Sequence, residues 1–422
     1  MKTRFARGRE YVEFQVPDEN LLGTLEVKPS FQALSNQELI NQALLHPIGT
    51  PTLGEIIKNK QAKNAVIVVN DITRPTPYKD MLPPLLDQIE AAGIARSEIE
   101  LVVALGIHRP HTPEENVSIF GQEICEQYKI SNHDCDNNLV SLGYLQNGLE
   151  LVINRSVAQA DLLITTGLIG LHYFAGFSGG RKSILPGVAA RSLIEANHRM
   201  MSDPRARLGN YQDNPVNDIM LQAAGMAGVD FILNVVTTGK DRIVYAGAGD
   251  MEQAWMAGVR HCEEIDVFPI EQPADIVVAG CGGFPKDINM YQAQKALDAA
   301  VLAARAGGTI LLIAECSEGL GEETFAEWIE SATCPEDIER RFHEKFELGG
   351  HKAYAICRTL KHCRVLLYSK LPDTTVRDMF LEPVGNLQET IDNLLAEYGG
   401  SQARVWLMPE ASKIAVRVKS TI

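Results

Sequence analysis

Positive charge is in short supply in this 422-residue chain: 39 Lys and Arg face 54 Asp and Glu, a formal net charge of −15. A surface of that sign repels phosphate backbones and anionic lipids, which argues against a nucleic-acid or membrane partner. Long apolar runs are also lacking. No stretch approaches the roughly 18 residues of a membrane span, and the opening MKTRFARGRE has no apolar core of the signal-peptide kind. The expected location is therefore the cytoplasm. None of the eight cysteines forms a C-x-x-C pair, and the neighbours His261-Cys262 and His362-Cys363 do not have zinc-site spacing. Reduced, mostly buried thiols are expected. Absent too are a G-x-G-x-x-G dinucleotide fingerprint, a G-x-S-x-G elbow and an H-E-x-x-H pair. What is present, 45% hydrophobic and 22% charged residues, is the composition of an ordinary folded enzyme long enough for two domains.

Short β-branched runs recur at residues 65–70, 99–105, 161–166, 275–280, 309–314 and 364–368, each followed by a polar or glycine-rich loop and then a helical stretch. This rhythm predicts an α/β fold of two domains with mainly parallel sheets covered by helices. The two prolines of Phe268-Pro269-Ile270-Glu271-Gln272-Pro273 mark a boundary, so residues 1–267 are expected to form an N-terminal domain and 268–408 a C-terminal one. A helix over 388–398 and a strand over 404–408 are expected to follow. The alternating segment at 413–419 reads as an edge strand, and residues 409–422 are assigned to a return to the first domain.

Ligands of open parallel sheets bind beyond the carboxyl ends of the strands, so the loops there matter most. The first, Asn70-Asp71-Ile72-Thr73-Arg74-Pro75, presents Arg74 in an extended conformation ahead of proline, although a polar turn capped by Asp71 reads equally well. The second, Gly106-Ile107-His108-Arg109-Pro110-His111, leads into Thr112-Pro113-Glu114-Glu115, which has the N-cap, first-turn proline and capping-box glutamate of a helix start. His108 can act there as a base or simply as a structural histidine. The third, residues 167–187, holds His172, Ser178, Gly179, Gly180, Arg181 and Lys182. Its glycines resemble a phosphate loop whose Walker spacing Arg181 breaks, yet the backbone N–H groups can still cradle a phosphate with Arg181 and Lys182 adding charge; glycines for close packing and cations on the surface are the alternative reading. On a fourth, helical stretch, Ile194, His198 and Met201 share a face, which turns His198 inward as a core residue or a metal ligand. The fifth, residues 280–295, brings Tyr291, Gln292 and Lys295 into the first turns of a helix capped by Asp287 or Asn289. Arg74, Arg109, Arg181, Lys182, Lys286 and Lys295 together place positive charge on the loops of an acidic protein, which suits a small anion.

Asp71-Ile72-Thr73-Arg74-Pro75, Gly106-Ile107-His108-Arg109, the 172–187 loop, His198, and Tyr291-Gln292 with Lys295 resemble the signature set of the nickel-pincer nucleotide-dependent lactate racemase (LarA) family. The stretch His172-Tyr173-Phe174-Ala175-Gly176-Phe177-Ser178-Gly179-Gly180-Arg181-Lys182 is the most specific part. The resemblance implies two α/β domains with an active-site cleft between them. It also implies a pyridinium-3-thioamide-5-thiocarboxylic acid mononucleotide carrying nickel, built by dedicated maturation enzymes and attached to Lys182. By the same resemblance His198 would ligate nickel and His108 and His172 would be paired acid/base residues. Arg74, Tyr291, Gln292 and Lys295 would bind the substrate, while Asp71, Thr73, Ser178, Gly179 and Gly180 would lie against the nucleotide.

That chemistry suits these residue types. Removing the Cα proton of a 2-hydroxy acid sets a carbanion beside a carboxylate that is already negative. Loss of hydride avoids the charge: a histidine takes the hydroxyl proton, the Cα hydride moves to an electrophilic cofactor, and return to the opposite face of the 2-keto acid gives the other enantiomer. The implied substrate is lactate or another 2-hydroxy acid, such as a larger aliphatic or aromatic one, malate or a sugar acid. Two readings of other classes stay open: a nucleotide-dependent kinase or ligase using the 176–183 glycines, and a non-catalytic small-anion binding protein.

Overall fold

The structure, a computed structural model, describes residues 1–27, 33–239 and 241–419. It divides into two compact units, Pro29–Ile265 and a second that joins Met1–Lys28 to Asp266–Ile422.

The Pro29–Ile265 unit is built on a six-stranded sheet in the spatial order Arg242–Gly249, Phe231–Thr238, Leu162–Leu168, Ala65–Asn70, Ile99–Ala104, Lys129–Asn132. All neighbours are parallel except the first pair. Ala65–Asn70 (AVIVVN) lies near the centre and is buried through Val69, the continuous apolar run expected of a strand covered on both faces. The helix Tyr78–Ala91 covers one face by burying Tyr78, Met81, Leu82, Leu85, Leu86 and Ile89, a stripe at helical spacing. The helix Pro113–Phe120 starts with the anticipated capping box between Thr112 and Glu115. Leu162–Leu168, Ala65–Asn70 and Ile99–Ala104 are adjacent and parallel, so the three loops that leave their carboxyl ends start side by side.

The other unit holds an all-parallel sheet in the order Glu382–Pro383, Arg364–Tyr368, Ala304–Ile313, Ala274–Gly280, Val405–Met408, Leu21–Thr24. Here the structure differs from the expected boundaries of 1–267 and 268–408. The N-terminal segment supplies the edge strand Leu21–Thr24, which pairs with Val405–Met408, and Phe5, Phe14 and Val16 pack into this unit's core with Ile276, Leu311 and Leu407. The closing strand Ala415–Val418 pairs in parallel with Val267–Ile270 of the same unit, so residues 409–419 do not return to the Pro29–Ile265 unit, and the remainder of the expected 409–422 segment lies outside the described residues. Apolar residues near the start of the chain had to be buried somewhere, and the sheet edge at Val405–Met408 offered unpaired backbone groups.

Among the described residues no helix is long and apolar enough to cross a membrane.

Candidate active site

Asp71 is the first residue past the strand Ala65–Asn70, and His108 lies in the turn past the adjacent Ile99–Ala104. Parallel neighbours of equal register bring the two loops together. His108 Nδ1 is 2.5 Å from Asp71 Oδ2, and the Thr73 hydroxyl donates to Asp71 Oδ1 at 2.7 Å. Burial pushes the Asp71 carboxyl upward, but the bonds from His108 and Thr73, with the charge of Arg74, outweigh it and hold the group below the ordinary aspartate value. Arg74 itself is exposed. Its charge reaches Asp71, His172 and Lys182.

The loop after Leu162–Leu168 folds into a miniature hairpin in which Leu171–His172 pairs with Gly176–Phe177. Its turn packs rings on rings: His172 stacks on Tyr173 at 5.1 Å and meets Phe174 edge-on at 4.6 Å, while Phe174 meets His198 at 5.0 Å. His172 Nδ1 accepts the Ala175 backbone N–H at 3.2 Å, and its Nε2 lies 3.4 Å from Lys182 Nζ. Burial, reinforced by neighbouring cations, drives both groups toward their neutral forms: His172 well below its ordinary value, with Lys182 and Arg74 adding to the effect, and Lys182 likewise, with Arg181 and Arg74. His198 stands in the last turn of the helix Arg191–Arg199. Burial lowers it to about 3, with a smaller effect from Lys182, while a bond with the Ile194 backbone works in the other direction. Lys182, His172, His198, His108 and Arg74 thus form one electrostatically coupled group.

Other members of the sequence-derived set have different tasks. Arg181 is fully buried. It donates to the carbonyls of Ala175, Phe177 and Gly179 and to Asn217 Oδ1, and its guanidinium lies 3.9 Å over the Trp255 ring. It ties the loop together rather than offering charge to an anion, which corrects the pooled-cation reading. Arg109 is held bidentately by Glu115, and Lys286 lies 3.7 Å from Glu410. The Ser178 hydroxyl donates to the Leu168 carbonyl and accepts from the Gly170 N–H. Gly179 and Gly180 both have left-handed backbone. A Cβ on Gly180 would meet Trp255 at 2.8 Å, and one on Gly179 would meet Ile169 at 2.7 Å. The N–H groups of Phe177, Ser178, Gly180 and Lys182 are taken by Ala175, Gly170, Asn234 and Gly179, so these four do not form an open phosphate cradle.

In the unit containing Asp266–Ile422, Asn289 caps the short helix Met290–Ala293 by accepting the Gln292 N–H at 3.0 Å, and the helix Lys295–Ala303 follows at once. Lys295 Nζ donates to Gln292 Oε1 at 2.7 Å, so these two polar ends are joined. Tyr291 packs edge-on against Phe325 at 5.8 Å, and the buried Lys352 lies 5.9 Å from its ring centre and bonds Gln294 at 2.9 Å.

Sequence reasoning did not connect Asp71 with His108, nor Arg181 with Trp255. The first pair had a signal, since both residues leave adjacent parallel strands at the same level. The second had none, because nothing local in sequence announces Trp255.

Comparison with known proteins gives a consistent result. The family of lactate racemase N-terminal domains matches residues 7–209 and that of lactate racemase C-terminal domains residues 270–416. Lactate racemase of Thermoanaerobacterium thermosaccharolyticum is 35% identical over 423 residues, covering 98% of each chain. That of Lactiplantibacillus plantarum is 35% identical over 414 residues, covering 96% of each. The solved lactate racemase apoprotein from T. thermosaccharolyticum superposes with a TM-score of 0.90 at 34% identity, over 99% of this chain and 100% of the other. A Thermotoga maritima protein shares the fold alone, at a TM-score of 0.61 and 18% identity over 91% of this chain and 98% of the other.

Proposed function

The chain belongs to the lactate racemase family and is thus an isomerase, and from that premise we propose that it racemises a small 2-hydroxy carboxylate, lactate or a close relative, with a nickel-pincer nucleotide attached to Lys182. The single observation that carries this reading is the Lys182 amine 3.4 Å from His172, with burial and the neighbouring arginines pushing its pKa down toward the uncharged form and His198 coupled to the same group. An uncharged amine is the nucleophilic form that an amide-type linkage requires. An uncharged imidazole is the form that ligates a metal, and nickel accepts imidazole nitrogen readily. The donor set therefore fits the group: Lys182 would hold it and His198 would ligate its metal. When bound, it supplies an acceptor for hydride.

The remaining chemistry belongs to the chain's own residues. His108 and His172 are the proposed acid/base pair that holds and moves the hydroxyl proton. Arg74, exposed beside them, pairs with the substrate carboxylate. Tyr291, Gln292 and Lys295 are further proposed substrate contacts; their clustering at the starts of two successive helices, with Lys295 bonded to Gln292, supports that role. Thr73 is tied to Asp71, and Ser178, Gly179 and Gly180 shape the loop that presents Lys182. A kinase or ligase is less well supported, since the N–H groups of Phe177, Ser178, Gly180 and Lys182 in the glycine-rich loop are engaged within the protein.

The test is to express the chain with cofactor-maturation enzymes and combine metal analysis with mass spectrometry of the Lys182 peptide. Enzyme so prepared is expected to carry nickel and added mass at Lys182, and to erase the optical activity of a single-enantiomer 2-hydroxy acid. Lys182→Ala should lose mass, metal and activity together, whereas His108→Gln and His172→Gln should keep the cofactor and lose turnover. Racemisation by Lys182→Ala without nickel would contradict the proposal.

A further inference from the structure

Two histidines offered the same duty are held by unlike neighbours. At His108 the neighbour is Asp71, a carboxylate only 4% exposed. One of its oxygens is occupied by the Thr73 hydroxyl and the other lies 2.5 Å from Nδ1 of His108. An ionised carboxylate only accepts, so the imidazole nitrogen facing it must carry the hydrogen. A neutral imidazole has one N–H, which leaves Nε2 of His108 with a lone pair. The His108 side chain is 40% exposed against 5% for that of Asp71, so the ring is open to a ligand while its partner is sealed.

At His172 the neighbour is a donor. The Ala175 backbone N–H points at Nδ1 at 3.2 Å, so Nδ1 must be the lone-pair nitrogen and the ring hydrogen sits on Nε2, facing Lys182 Nζ at 3.4 Å. The Leu171–His172 and Gly176–Phe177 ladder holds this geometry through the backbone rather than through a side chain.

Resting on the acid/base reading of these two histidines, we infer that Asp71 is a positioning residue that holds His108 as the Nδ1–H tautomer with Nε2 as proton acceptor, while the Ala175 N–H holds His172 as the opposite tautomer with its hydrogen on Nε2. The pair therefore rests as one acceptor and one donor, not as two equal bases. When the substrate O–H bond breaks, its proton forms a bond to Nε2 of His108 and the oxygen keeps the electron pair. The imidazolium so formed is stabilised by the Asp71 carboxylate at Nδ1, as in other carboxylate–histidine pairs. The Nε2–H of His172 faces Lys182 Nζ, so this nitrogen is presented as a donor at rest. Asp71, which the sequence resemblance set against the nucleotide, acts through His108.

The tautomers can be read directly by long-range proton–nitrogen NMR of the full-length chain labelled at histidine, with His108→Gln and His172→Gln to assign the two rings. The wild type is expected to show His108 protonated at Nδ1 and His172 at Nε2. A wild-type His108 protonated at Nε2 overturns the inference whatever the variants do. In Asp71→Asn the Thr73 hydroxyl keeps the amide oxygen, so the amide N–H2 donates to Nδ1 of His108 and the ring's own hydrogen should move from Nδ1 to Nε2; His172 should not change. An unchanged His108 in that variant also overturns the inference. In matured enzyme, Asp71→Asn should lower kcat on the order of 10²–10⁴-fold with little change in KM. The loss in kcat/KM must be equal in both directions, because the racemic equilibrium constant is unity. The Lys182 peptide should keep its added mass; its loss would assign Asp71 to the nucleotide and sink the inference. Failure of wild-type enzyme to racemise any 2-hydroxy acid would count against the proposed function, whereas the NMR pattern decides the tautomers independently.

Discussion

Arg181 and Arg74 carry the same charge and differ in everything that surrounds it. Arg74 is exposed, whereas Arg181 has no exposure at all and its guanidinium serves three backbone carbonyls, Asn217 and the Trp255 face. Burial pulls the Arg181 pKa down to about 9, the cost of keeping a cation away from water. Removing the side chain leaves several carbonyls without donors, at about 1–3 kcal/mol each. Arg181→Ala should therefore lose at least about 3 kcal/mol in a denaturant titration, by the same orphaned-group penalty. Arg74→Ala should unfold at nearly the wild-type midpoint and lose kcat/KM instead. A wild-type midpoint for Arg181→Ala would contradict the assignment. Sequence alone pooled the two arginines because residue type reports charge and not burial; Trp255 lies far along the chain, and only the fold shows that it covers Arg181.

Elements with local signals were legible, and those that depend on distant partners were not. Ala65–Asn70 and Arg364–Tyr368 match the expected runs because four or five consecutive apolar residues between polar loops leave little choice. The helix at Pro113 was announced by Thr112, Pro113 and Glu115. Phe231–Thr238 was not anticipated. Its pattern is broken by Asn234, a fully buried polar residue whose side chain accepts the Gly180 N–H at 2.7 Å and so exists for the loop rather than for the strand. The hairpin of Leu171–His172 and Gly176–Phe177 has two residues per strand, too few for any period to show. The loop's glycines can be tested against a control. Gly180 and Gly228 have φ of 52° and 71°, but a Cβ on Gly180 meets Trp255 at 2.8 Å while one on Gly228 meets nothing within 4 Å. Gly228→Ala should cost only the left-handed backbone penalty of about 1–2 kcal/mol. Gly180→Ala should add about 1–3 kcal/mol of overpacking and reduce loading at Lys182. Equal urea midpoints for the two variants would show that the Trp255 contact does not matter.

At the scale of the molecule, the α/β class and the existence of two units were visible in the alternation of strands and helices, but the path of the chain between them was not. Residues 1–27 carry Phe5, Phe14 and an edge strand whose partner Val405–Met408 lies near the other end of the sequence. No local pattern encodes such a pairing, which depends on which sheet edge is left open. The site was legible in residue identity, through the loops holding Asp71, His108, His172, Lys182 and His198. It was not legible in partnership, because the hydrogen bonds that give each histidine its role come from Asp71 and from the Ala175 backbone. The central claim concerns the fate of the hydrogen on Cα, so the direct measurement uses a single-enantiomer 2-hydroxy acid, lactate first, carrying deuterium at that carbon. Incubated with matured enzyme in ordinary water, it should yield the opposite enantiomer with the deuterium retained, as transfer and return of hydride require. An opposite enantiomer that has exchanged its Cα deuterium for solvent hydrogen would mean proton abstraction, and the hydride mechanism would be wrong.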